Sequence, residues 1–223
     1  MAKIEYTKTY TGDDGTIYPG VTTILANLGW NKSILMAWSA KMARQEKDYK
    51  AESKEAAEIG TLGHALAEAY LTAKTVDQSI TAAYTPGQFA KAANAVEALK
   101  EWQKQSNLTV VFTERNLVSN KYKFGGSADI IFSNPEGDFE LADIKTGNGT
   151  YADYILQLAA YSIAAEETLK RPIKRVHILR FGKNKSATFH HSSWGKEDID
   201  LAFEVFKGLI AIHYARPFIE ELL

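Results

Sequence analysis

The chain has 223 residues and no cysteine among them. That excludes disulfides, thiolate nucleophiles, thiolate zinc sites and iron-sulfur clusters, so a metal has only oxygen and imidazole to bind. Long hydrophobic runs are missing as well. No apolar stretch approaches the roughly eighteen residues of a membrane span, and neither a Lys/Arg-led apolar leader nor a lipidation signal occurs. A soluble, cytoplasmic protein with no membrane partner is therefore expected. Proline is scarce, at five residues, and no Pro/Gly/Ser linker, internal repeat or low-complexity segment divides the chain. With 45% hydrophobic residues the chain can bury one sizeable core, and a single domain over 1–223 is the expectation.

A net charge of −1 carries no global bias towards an anionic partner. Its distribution is uneven, however. Between Lys170 and Lys196 eight Lys/Arg stand with no Asp or Glu: Lys170, Arg171, Lys174, Arg175, Arg180, Lys183, Lys185 and Lys196. A surface of that density can hold phosphates, and the plainer reading is a solvated basic strand pair.

The pattern of elements is α/β. After a turn-rich lead-in, TGDDGTIYPGV, a helix is predicted from near Ser33, whose hydroxyl can cap it. A second helix, about 54–73, carries Ile59, Leu62, Leu66, Ala69 and Tyr70 at helical spacing. It is interrupted by Gly60 and Gly63, each of which costs about 1 kcal/mol relative to Ala unless a backbone or ligand comes close. A third helix, about 86–105, opens on Pro86. Strands follow at LTVVFTERNLV and in a hairpin, then the amphipathic helix YADYILQLAAYSIAAEETL. RVHILRF and SATFHHS read as a basic hairpin turning at GKNK, and a last helix covers about 196–214. The order predicts a helical N-terminal part (about 21–106), a β-sheet core (about 107–192) with a mixed central sheet flanked by helices, and a closing helix.

The most informative segment is FGGSADIIFSNPEGDFELADIKTG, ending at Gly147. The turn-forming NPEGD separates two apolar runs, one containing Asp129 and the other Asp143 and Lys145. Alternation along a strand puts Asp143 and Lys145 on one face and Ile144 on the other. Acids in apolar strands are costly unless paired or bound to metal.

Five elements occur in a recognisable order: a helical His in GTLGHALAE (Gly60–Glu68), a strand acid at Glu114, Gly-x-x-Asp ending at Asp129, Asp-x-Lys from Asp143 to Lys145, and Gln-x-x-x-Tyr from Gln157 to Tyr161. This order resembles the PD-(D/E)XK nuclease superfamily, and more narrowly the RecB-like exonucleases of phages and mitochondrial genome maintenance. Ala128 stands where the superfamily's name has Pro, and the missing cysteines point to the members without an iron-sulfur cluster. The resemblance implies a restriction-endonuclease-like core and a metal-dependent DNA exonuclease in recombination, repair or replication, of phage or bacterial type.

By the same resemblance, Asp129, Asp143 and the Ile144 carbonyl would bind Mg²⁺, with Mn²⁺ acceptable if His64 is also a ligand. Lys145 would orient the attacking water. Glu114 would bind a second metal or position a water, and Glu68 would support His64. Gln157 and Tyr161 would contact the DNA strand near the scissile phosphate. The basic segment (Lys174, Arg175, Arg180, Lys183, Lys185) and the aromatics Trp30, Trp38 and Tyr151 are candidates for holding backbone and bases. The plain alternatives are a packing role for His64, Trp30, Trp38 and Tyr161, and a solvated acid at Glu68 or Glu114. The expected partner is single- or double-stranded DNA with a free end, together with a recombination or single-strand-annealing protein. The competing functions are a catalytically silent DNA-binding module, a structure-specific endonuclease and a hydrolase of small phosphate esters.

Overall fold

The computed structural model describes residues 9–30, 32–76, 78–146, 149–181 and 189–223. The lead-in is a two-stranded ribbon, β1 (Tyr10–Thr11) and β2 (Ile17–Tyr18), closed by a turn in which Asp14 accepts the Thr16 N–H at 2.9 Å. With two residues in each strand there is no period to show, so the sequence reads there only as turn. Helices α1 (Val21–Leu25), α2 (Lys32–Arg44), α3 (Tyr49–Leu71), α4 (Gln78–Ala82) and α5 (Pro86–Ser106) follow. Ser33 lies inside the first turn of α2 and is not its cap. Helix α3 begins five residues ahead of the expected start, because the Asp48 carboxylate accepts the Lys50 N–H and caps it. At α5, Thr85 and Gln88 form a reciprocal capping box on either side of Pro86.

The sheet is β3 (Thr109–Ser119), β4 (Phe124–Ser133), β5 (Phe139–Thr146), β6 (Ile173–Phe181) and β7 (Phe189–Gly195), side by side in that order. Only the β5–β6 pair is parallel, and its crossover is α6 (Ala152–Leu169). The GKNK turn lies outside the described residues. Helix α7 (Lys196–Glu220) runs past the expected end at Tyr214 and carries Pro217 within it.

Period-2 alternation divides the strands between two apolar layers. On one face Leu117, Phe124, Ile131, Leu141, Val176 and Ile178 pack against α1, α6 and α7. On the other Ile130, Phe132, Ala142, Ile144, Leu179 and Phe181 pack against Ala67 of α3 and Val96, Leu99 and Trp102 of α5. Each fully buried Phe or Leu contributes about 1.5–3 kcal/mol, so these layers supply the stability against which charged groups are buried. Among the described residues no helix is long and apolar enough to cross a membrane.

A polar cluster interrupts the second layer. His177 Nε2 donates to Glu140 Oε2 at 2.7 Å, Asn134 donates to Glu140 Oε1 at 3.0 Å, and His177 and His191 stack beside Trp102. The hydrogen bond from His177 holds the Glu140 carboxyl below its ordinary 4.5, against the opposing effect of burial. A carboxylate with a lowered native pKa stabilises the fold above its unfolded value, and that contribution disappears as pH falls through the native value. Glu140→Gln is therefore expected to lose about 1–2 kcal/mol at pH 7, with the gap to wild type closing below about pH 4. Urea midpoints measured from pH 7 down to pH 3 check this.

Candidate active site

Strands β4 and β5 pair from Ser133↔Phe139 to Ile130↔Ala142 and then part. The next residues in that register are Asp129 and Asp143. Beyond the parting, β5 keeps its pairing with β6 as far as Thr146↔Phe181, and β4 keeps its pairing with β3. Asp129 fills the opening, its Oδ2 accepting the Ile144 N–H at 2.7 Å. A strand residue's N–H and C=O leave on the same edge, so the Ile144 carbonyl faces the same gap while its side chain is buried in the α5 layer.

Helix α3 closes one side. A Cβ on Gly60 would lie 3.0 Å from Thr146 Oγ1, and one on Gly63 3.6 Å from Thr146 Cγ2. The two glycines thus let the helix rest on the end of β5, one of the close approaches that offsets their poor helix propensity. His64 is thereby carried over the gap, with Nδ1 3.5 Å from Asp129 Oδ2 and 3.9 Å from Glu114 Oε1. Glu114 falls opposite Asp129 in the register set by Thr113↔Ile130 and Arg115↔Ala128. Its φ of 47° is left-handed inside a strand, a strained conformation of the kind that re-aims a side chain at functional sites. One donor atom each from His64, Glu114 and Asp129 lie within 4.8 Å of one another, as a metal requires. Glu68, one turn further along α3, lines the same cleft of about 410 Å³.

The other side is built by α6. Lys145 Nζ lies 2.6 Å from Asp143 Oδ2 and donates to Gln157 Oε1 at 2.9 Å, and Gln157 Nε2 donates to Tyr161 Oη at 2.7 Å. The Tyr161 ring lies on Gly126, where any Cβ would collide with it. Tyr154, three residues before Gln157 on the same helix face, places its ring under Lys145 Nζ at 5.1 Å. Gln157 and Tyr161 are buried, so they form a chain of hydrogen bonds that fixes Lys145. The i, i+3 spacing of Tyr154 with Gln157 marks this aromatic in the sequence, but within an apolar helix such a residue reads as packing.

Charge balance is the site's governing quantity. Burial pushes Asp143 up, and Asp129 adds to it, so that Asp143 titrates at about 6 despite Lys145. Burial acts on Asp129 in the same sense, but His64, Lys145 and the Ile144 N–H together hold it below its ordinary value. Burial disfavours the charged forms of His64 and Lys145, yet the acids outweigh it, raising His64 to about 10 and Lys145 above its ordinary value. Among the described residues Asp143 Oδ2 has no hydrogen-bond partner beside its 2.6 Å ion pair with Lys145 Nζ. A buried carboxylate oxygen in that state, next to hard oxygen donors and an imidazole, fits a divalent cation.

The expected nucleic-acid contacts are placed less uniformly. Lys174 and Arg175 are exposed at the start of β6, five residues and about 16 Å from the Lys145↔Arg180 pair at the site end. Arg180 is at the site end but buried, and Lys183 and Lys185 lie outside the described residues. Strand alternation and direction therefore spread this basic run over two faces and two ends. Trp38 is half-buried, edge-on to Tyr49 at 6.4 Å, and Tyr151 is half-buried at the start of α6, edge-on to Tyr154 at 5.4 Å. Removing the cation from the buried pair should expose its cost. Lys145→Met is expected to destabilise the protein by about 3 kcal/mol at pH 8 and by less at pH 5, where Asp143 is protonated. Adding Asp143→Asn should recover much of the loss, as urea unfolding of the two singles and the double will show.

A family model described as the PD-(D/E)XK nuclease superfamily matches residues 37–218. Among solved structures, the chain is similar to a Eubacterium rectale protein named as an exonuclease candidate, at 11% identity and a TM-score of 0.52 over 71% of this chain. It spans 66% of that protein's length. It is also similar to the alkaline exonuclease LHK-Exo of Laribacter hongkongensis, at 14% identity and a TM-score of 0.35 over 57% of this chain and 71% of that one. The structure of LHK-Exo in complex with dAMP gives 14% identity and 0.37 over 76% and 92%. No curated protein matches the sequence. The match over most of the chain, on a mixed five-stranded sheet whose parted strands hold the Asp and Asp-x-Lys elements, shows that the chain belongs to the PD-(D/E)XK nuclease superfamily.

Proposed function

We propose that the protein is a divalent-metal-dependent deoxyribonuclease of the RecB-like type that hydrolyses phosphodiester bonds from free DNA ends. The observation that carries the reading is the convergence of His64, Glu114, Asp129, Asp143 and Lys145 on the opening between β4 and β5. Side chains of His64, Glu114 and Lys145 remain 31%, 29% and 21% exposed, so a strand laid across the sheet end reaches them. The similar fold of the Eubacterium rectale protein supports action from ends.

His64, Glu114, Asp129, Asp143 and the Ile144 carbonyl are the groups that would hold the cation. Bound there, Mg²⁺ or Mn²⁺ supplies charge neutralisation at the phosphate oxygens and acidifies a water. The imidazole in the set is what makes Mn²⁺ acceptable beside Mg²⁺. Lys145 is held charged and immobile by Asp143, Gln157 and the Tyr154 ring, so it acts as a donor to a non-bridging oxygen and to the attacking water. Gln157 and Tyr161 position Lys145 rather than grip the strand. The substrate is DNA with a free end, in recombination, repair or replication, where a strand-annealing protein is the natural consumer of the product.

The test is an assay on end-labelled single strands, linear duplex and covalently closed circles with Mg²⁺, Mn²⁺ or chelator. Linear DNA should be degraded with either metal and spared with chelator. Asp129→Ala and Asp143→Ala should each lose at least about 10²–10³-fold in rate. Digestion of closed circles would reassign the protein as an endonuclease, and intact DNA under every condition would reject the reading.

A further inference from the structure

A second cavity, of about 400 Å³, adjoins the catalytic cluster and shares Gln157 with it. Its walls are Leu25 at the end of α1, Leu28 and Trp30 in the connection that follows, and Leu35 of α2. Asp153, one helical turn before Gln157 and on the same face of α6, forms its polar side. Asp153 Oδ1 is buried and has no hydrogen-bond partner among the described residues. Trp30 and Leu35 are 54% and 57% exposed, a large apolar surface to leave in water beside a polar site. At Gly29, whose φ of +69° makes the turn into α2, the Lys32 side chain folds over the rim.

We infer that this cavity is a nucleobase pocket, which takes the base of the nucleotide next to the scissile phosphodiester. The inference rests on the nuclease reading of the neighbouring cleft and adds to it a determinant of base preference. An aromatic face, aliphatic walls and one unsatisfied acceptor match a flat heteroaromatic ring with an N–H edge. They do not match an anion, which Asp153 repels, nor a metal, which one carboxylate cannot hold. The base stacks on Trp30 and donates to Asp153, and Lys32 at the rim meets the phosphate of the same nucleotide. An ionised carboxylate only accepts. Guanine offers it N1–H and the 2-amino group side by side, whereas thymine's single N3–H is flanked by two carbonyl oxygens that the carboxylate repels. The pocket therefore prefers guanine and discriminates against thymine.

The test is calorimetry in chelator, where no turnover occurs, with dGMP, dTMP and deoxyribose 5-phosphate as the probes. The expected result is dGMP binding about tenfold tighter than dTMP, with no binding of the sugar phosphate. Trp30→Ala should weaken dGMP by about tenfold or more, and Asp153→Asn, which gains a donor, should erase the guanine preference. Equal binding of all three probes, or dGMP affinity unchanged in Trp30→Ala, overturns the pocket. Trp30 is half exposed and the Asp153 change is isosteric, so neither variant threatens folding. Because the measurement needs no hydrolysis, a protein that fails as a nuclease can still pass it. A nuclease whose Trp30→Ala variant digests G- and T-ended strands as wild type does rejects the pocket alone.

Discussion

Asp129 and Asp143 face the same gap from neighbouring strands, and their mutual repulsion in a half-dry environment is the constraint around which the molecule is arranged. At an effective dielectric of about 20, two unit charges about 4 Å apart interact by about 4 kcal/mol, more than a pair of ladder hydrogen bonds returns. The β4–β5 ladder ends where the two acids would meet. The Asp129 carboxylate then takes over the Ile144 N–H that β4 no longer satisfies. The opening so formed is both the answer to an electrostatic problem and the place where a phosphodiester can be approached.

The cations on either side complete the balance. His64 faces Asp129 and Glu114 from α3, and Lys145 faces Asp143 from the strand itself. Each depends on a close approach that glycine permits: Gly60 and Gly63 bring α3 down onto Thr146, and Gly126 admits the Tyr161 ring that anchors Gln157 and so Lys145. Buried charge of this kind destabilises a fold, and two apolar layers offset it here. Helix α6 shows both sides of the trade, for it buries Leu156, Leu158 and a run of alanines against the sheet while presenting Gln157 and Tyr161 to the cleft.

Much of the fold was legible from strand and helix periods. Strand β5 has the predicted residues, FELADIKT, and α5 opens at Pro86 as its composition requires. The β1–β2 ribbon was not legible, because two-residue strands carry no period. Nor was the extent of α7, since Pro217 reads as a stop while the helix runs through it to Glu220. Within the site, the expected oxygen pair of Asp129 and Asp143 is joined by a tighter grouping, His64 with Glu114 and Asp129. Glu114 was expected at the site by the resemblance alone; the left-handed backbone there is announced by no residue type. The basic run from Lys170 to Lys196 looked continuous, but strand geometry sends Arg175 and Arg180 to opposite ends of β6 and buries the second.

The amino-acid sequence by itself determined which chemistry is available: no thiol, hard oxygen donors, a helical imidazole at His64 and a lysine two residues from an acid on the same strand face. Alternation made that last placement unavoidable, since it is local. Which donors meet, which cations neutralise them and where an apolar cavity opens beside Gln157 depended on contacts between residues far apart in the chain. Those were decided by how closely α3 and α6 could approach the parted strands, a matter of packing that no local pattern encodes.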